Sequence, residues 1–153
     1  MMTITGGMPD YDLLAPLDTD TDVLDRVDQL IGVDARCDRS LWLLFLAADA
    51  VQLPVVVPID DVPANPDARD AGSICDTTAH VLNDAAPGGS VVITLVRDNG
   101  RSVTDSDQQW LMALQAAATR TGVHLRMFCL ATTDGVRRLE PPRSLTTTDR
   151  GCE

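Results

Sequence analysis

Ser90–Val96 restricts the fold of this chain more than any other stretch. Pro87, Gly88 and Gly89 punctuate the chain ahead of it. The run itself is almost wholly apolar, with β-branched residues at five of its seven positions. A short apolar run bounded by turn residues reads as a strand buried on both faces. Arg97, Asp98, Asn99 and Gly100 break it, and Thr104 opens a helix that Gly122 closes. Val123–Ala131 reads as the next strand. Strand, helix, strand at this spacing is a βαβ unit, so the two strands are predicted parallel, joined by a right-handed crossover.

The flanking segments extend the unit. Leu41–Leu46 is the most hydrophobic strand, apolar on both faces, and Leu53–Ile59 follows after a turn, which predicts an antiparallel hairpin. Pro54 and Pro58 share parity, so both missing N–H groups fall on one side of that strand. A strand lacking donors on one side belongs at a sheet edge. The predicted order is therefore 2-1-3-4, with Leu53–Ile59 at a rim. Val136–Leu139 supplies a short further strand.

Three helices are expected. The first is capped by Thr19 or Thr21 and runs to Ile31, burying Val23, Leu24, Val27, Leu30 and Ile31. The second is expected to start at Asn65-Pro66 and buries Ala71, Ile74, Cys75, Thr78, Ala79 and Leu82. The third buries Trp110, Leu111, Leu114, Ala117 and Ala118. There, Thr104 and Asp107 form a capping box with Asp in place of the usual Glu. Strands covered on both faces need helices on both sides. The fold class is thus a small three-layer α/β/α sandwich with a ββαβαβ core and a mixed four- or five-stranded sheet. Residues 19–139 form one α/β domain, and residues 1–18 and 140–153 read as flexible tails, the first pinned by Tyr11, Leu13 and Leu14.

Charge narrows the function classes. Among 153 residues, 23 acids stand against 12 bases, a net charge of −11; every base is Arg, and all acids but Glu140 and Glu153 are Asp. Such a field repels nucleic-acid phosphate and anionic membrane, so neither is an expected partner. No basic n-region with an apolar stretch opens the chain, and Leu41–Ala48 is too short to span a bilayer. Cys37, Cys75, Cys129 and Cys152 form no C-x-x-C pair, which reads as reduced thiols in a cytoplasmic protein.

Asp60 and Asp61 follow the second strand and Asp98 follows the third. Open α/β sheets bind ligands beyond strand C-termini, so these three carboxylates are the metal candidates, with Mg²⁺ the ion that suits hard oxygen ligands. The plainer reading is solvated turns, because Asp is a turn residue. No other cofactor is indicated: the chain has no G-x-x-x-x-G-K, no G-x-G-x-x-G after a strand and no G-x-S-x-G elbow. Asp105 and Asp107 also neutralise the start of the third helix, which disfavours phosphate there. Asp76, His80 and Asp84 lie at i, i+4, i+8 on one helix face. They read as an exposed His between acids, not as a relay or metal site. His124 is a lone residue.

Several stretches carry a resemblance: Leu30–Val33, Ser40–Leu46, Leu53–Pro63, Ala86–Val96 and Gly122–Arg126. Through these the segment 30–139 resembles a group of uncharacterised α/β domains of unknown function from high-GC Gram-positive bacteria (actinobacteria). The shared motifs are structural, so the resemblance implies a cytoplasmic bacterial α/β domain and transfers no functional residue. Three functions follow as expectations. The first is a non-enzymatic domain acting through a protein partner, a second copy of itself included. The second is an Asp-based Mg²⁺-dependent hydrolase or phosphoryl-transfer enzyme. The third is an acidic decoy of a nucleic-acid-binding protein.

Overall fold

The computed structural model describes residues 16–32, 39–60, 62–63, 65–98 and 103–140. Residues 1–15 of the N-terminal tail, with Tyr11, Leu13 and Leu14, lie outside them, as do 141–153, Cys37, Asp61 and Cys152. The elements are α1 (Asp20–Leu30), β1 (Ser40–Leu46), β2 (Gln52–Asp60), α2 (Ala68–Ala85), β3 (Ser90–Val96), α3 (Asp105–Thr121), β4 (Leu125–Thr132) and β5 (Gly135–Leu139).

The strands form one mixed sheet in the order β2-β1-β3-β4-β5. β1 pairs antiparallel with both β2 and β3, β3 and β4 are parallel, and β5 returns antiparallel on β4. The prolines of β2 therefore sit at a rim, where their absent N–H groups cost no ladder bond.

Two crossovers step across the sheet in the same direction: α2 carries the chain from β2 over β1 to β3, and α3 carries it from β3 to β4. Right-handed crossovers stepping the same way put their helices on the same face. Accordingly Leu41, Leu43, Phe45, Ile93 and Leu95 meet Cys75 and Leu82 of α2 and Trp110, Leu111 and Leu114 of α3 in one core. On the opposite face α1 presents Val23 and Val27 to Leu44, Leu46, Val92, Val96 and Cys129. Period-2 alternation along β1 and β3 feeds both layers, and every residue of β3 is buried.

Local chemistry sets the boundaries. Thr19 caps α1 and Thr104 caps α3, each in a complete capping box with the Asp three residues on. Gly122 ends α3 in the left-handed conformation at φ 79°, which Gly adopts without steric cost. The start of α2 differs from expectation. Its cap is Asp67, whose side chain accepts from the Asp70 N–H at 2.8 Å, and the helix begins at Ala68. Asn65 and Pro66 precede it, because a carboxylate adjoining the first turn satisfies an orphan amide and favours the helix dipole. Gly89 is required where β1 and β3 meet: a Cβ there would lie 2.2 Å from the Leu46 carbonyl oxygen.

Candidate functional site

The C-terminal ends of β2, β3 and β4 share one rim of the sheet, the place where an open α/β fold holds ligands. Ser40 pairs with Asp60 on one side and Val96 on the other. Asp60 and Asp98 therefore share this rim, with two strand spacings, roughly 10 Å, between the backbones of residues 60 and 96. Both side chains stand exposed. The third candidate, Asp61, lies outside the described residues. Among the described residues no three His, Cys, Asp or Glu side chains come together in a group that could hold a metal ion.

What fills the rim is a pair that sequence reasoning did not connect. The Arg97 amide continues the ladder by donating to the Ala131 carbonyl at 3.1 Å, and its side chain turns towards the first turn of α3. Arg97 Nε donates to Asp107 Oδ1 at 3.0 Å and Nη2 to Oδ2 at 2.8 Å, while Nη1 donates to the Asp98 carbonyl at 3.0 Å. Asp107 also accepts from the Thr104 N–H at 2.9 Å. Arg97 is 7% exposed and Asp107 not at all. One carboxylate thus serves as both the helix cap and the counter-ion of a bidentate fork. Burial on its own would push the Asp107 carboxyl up. The Arg97 hydrogen bonds, the Thr104 amide and the guanidinium charge outweigh it and hold the group below the usual carboxylate range.

The chemical consequence is direct. The two features that would attract an anion here, a helix N-terminus and an Arg, are already satisfied by Asp107. An arriving phosphate would have to displace a buried, fully bonded carboxylate. The neighbouring connection is tied down as well: Trp110 Nε1 donates to the Pro63 carbonyl at 2.9 Å.

The remaining candidates are surface features. Asp76, His80 and Asp84 are all exposed on α2 beside a shallow depression. Asp20 of α1 receives Arg126 at 2.9 Å and also Arg138, and Arg138 reaches Glu140 at 2.8 Å. Ion pairs this exposed stabilise little. Acids occur on both helical layers, Asp25 and Asp28 on α1 against Asp76, Asp84 and Asp105 on α2 and α3. Among the described residues they are not gathered on one face. Cys75 and Cys129 are free and buried. Burial pushes the Cys75 thiol up and the Cys129 thiol up to about 12, so neither behaves as a nucleophile. His124 is exposed, its carbonyl accepting from the Val91 N–H at 3.0 Å.

A cleft of about 540 Å³ runs along the outer side of α3, lined by Pro66, Ala68, Asp105, Met112, Ala116 and Arg120. Met112, 44% exposed, is the one large hydrophobic exposed among the described residues. Its signal was present in the sequence: it falls off the buried stripe of α3.

Comparison with protein-family models and with curated proteins found no match to this chain. No helix among the described residues is long and apolar enough to cross a membrane.

Proposed function

We propose that the protein is a non-enzymatic cytoplasmic domain that works by docking a protein on its α2–α3 face. The observation that carries this reading is Met112, held in the solvent-facing cleft of an otherwise amphipathic helix. The Arg97–Asp107 pair supports it from the other side, by occupying the rim where an α/β enzyme would bind an anionic substrate. Two free, buried thiols fit a reducing compartment. The test is a photo-crosslinking amino acid in place of Met112, with the same group in place of Asp25 on the α1 layer as control. The expected result is a discrete protein adduct, self or foreign, from position 112 and none from position 25. Absence of an adduct at 112 overturns the reading.

A second reading, Asp-based Mg²⁺ chemistry, is favoured by one observation: β2 and β3 end at the same rim, so Asp60 and Asp98 share it. It predicts a heat of Mg²⁺ binding in calorimetry that Asp98→Asn abolishes. A flat titration at millimolar Mg²⁺ removes it.

A further inference from the structure

We infer that the occupant of the α3 cleft is a second copy of this chain, docked with its own α3 antiparallel across a two-fold axis beside Met112. The inference rests on the docking reading above and adds the partner. It comes from the order of residues along the exposed side of α3. Asp105, Gln109, Met112, Ala116 and Arg120 recur at steps of four, three, four and four, which places them on one stripe. All but the ends are uncharged. The acid stands at the N-terminal end and the base at the C-terminal end, about 22 Å apart at 1.5 Å per residue. Met112 lies at the midpoint.

A stripe that is acidic at one end, basic at the other and uncharged in the middle is complementary to itself when reversed. Isologous pairing across a two-fold axis requires that property of a surface. Antiparallel α3 helices centred between residues 112 and 113 set Asp105 against the partner subunit's Arg120, and Arg120 against the partner subunit's Asp105. Met112 then meets the partner subunit's Ala113, and Gln109 the partner subunit's Ala116. The alanines leave room for the methionine and for close approach of the two backbones. Neither the Asp105 nor the Arg120 side chain has a hydrogen bond or ion pair within the described residues, and both are exposed. Arg120 lines the cleft, its Nη2 lying 3.3 Å from where a Cβ on Gly72 of α2 would stand. Asp67, also at the lip, is committed to capping α2.

The two sheet edges do not compete for this role. The outer side of β2 lacks the N–H groups of Pro54 and Pro58 and resists strand addition. β5 is five residues long and carries exposed Arg137 and Arg138, both devices that blunt an edge. One helix pair with the α2 lip is a small interface, below about 1,200 Å² in total, so the dimer is weak and concentration-dependent. Repulsion between two copies of charge −11 is reduced at physiological ionic strength, where the screening length is about 8 Å.

The experiment is sedimentation equilibrium from micromolar to millimolar protein, starting from the 16.4 kDa monomer. The unaltered chain is expected to dimerise reversibly. Asp105→Arg and Arg120→Asp each set like charges opposite one another at both ends and raise the dissociation constant by about tenfold or more. The double variant D105R/R120D restores it. An equimolar mixture of the two single variants forms a mixed dimer, because both end pairs are then complementary. Met112→Asp abolishes association. Asp105→Asn and Arg120→Gln, which cost α3 only a first-turn acid or a last-turn base, weaken it less than the reversals. Circular dichroism melts confirm that each variant is folded. A strict monomer at every concentration overturns the inference, and so does a dimer indifferent to the charge reversals. If the monomer still yields a foreign adduct from position 112, the docking reading survives with another partner. If it yields none, that reading falls too.

Discussion

Asp107→Ala is expected to destabilise the fold by about 3–5 kcal/mol, the range for removing one partner of a buried ion pair. The loss has three parts. Arg97, 7% exposed, keeps its bond to the Asp98 carbonyl but loses the carboxylate that balances its charge. The Thr104 amide loses its cap. The link between the end of β3 and the start of α3 goes with them, and that link closes the βαβ unit on which both layers are built. Asp107→Asn keeps the shape and one acceptor, so its cost is smaller. The double variant Arg97→Leu/Asp107→Leu removes both charges together and is expected to cost less than Asp107→Ala alone, because no buried charge is left stranded. Urea unfolding followed by circular dichroism checks this through the midpoint at constant slope. A double variant whose cost equals the sum of the two singles would show that the residues act independently.

The same pair gives the protein an acid limit. The folded pKa of Asp107 lies below its unfolded value of about 3.9. A carboxyl shifted in that direction contributes stability that is complete at neutral pH and lost as pH falls through the folded pKa. The stability gap between the unaltered chain and Asp107→Asn is therefore expected to be constant from pH 7 to about pH 5 and to narrow below pH 4. Unfolding midpoints measured across that range test the sign. A gap that widened on acidification would mean that burial wins over Arg97 and that the carboxyl is neutral in the fold.

The sheet was legible because its signals are local or set by parity. Pro54 and Pro58, four residues apart and so of one parity, specify an edge, and Gly122 specifies a helix end. Two apolar runs separated by a helix-length spacer specify parallel neighbours. The Arg97–Asp107 pair was not legible in the same way, although both halves were visible. Asp107 reads as a cap three residues after Thr104, and Arg97 reads as the residue that breaks a strand. Only the return of α3 over the end of β3 brings them together, and no periodicity encodes that return. The start of α2 misled for a related reason. Asn65-Pro66 and Asp67 are both competent starts, and the choice depends on where the connection from β2 must land, with Val62 buried and Pro63 bonded to Trp110. Asp60 and Asp98 were correctly expected at strand ends, yet strand order decides their separation.

Trp110→Ala is expected to cost about 3–5 kcal/mol, the range for truncating a large aromatic in a core. Trp110 is 1% exposed and packs among the residues shared by α2, α3 and the sheet. Its indole N–H donates to the Pro63 carbonyl at 2.9 Å, so truncation empties a volume and also removes the bond that ties down this connection. Trp110→Phe separates the two effects, keeping most of the volume and losing only the donor. It is expected to loosen the connection between β2 and α2, seen as faster amide exchange at Val62, Asn65 and Asp67, while α1 on the far layer is unchanged. Met112, two residues along the same helix, points the opposite way, because two residues turn a helix by about 200°. Met112→Asp is therefore expected to leave the unfolding midpoint almost unmoved while abolishing self-association. Trp110→Phe should lower the midpoint and leave the association constant of the folded chain intact. If both variants moved stability and association together, the outer stripe of α3 would be part of the core's cooperative unit and not an independent docking surface.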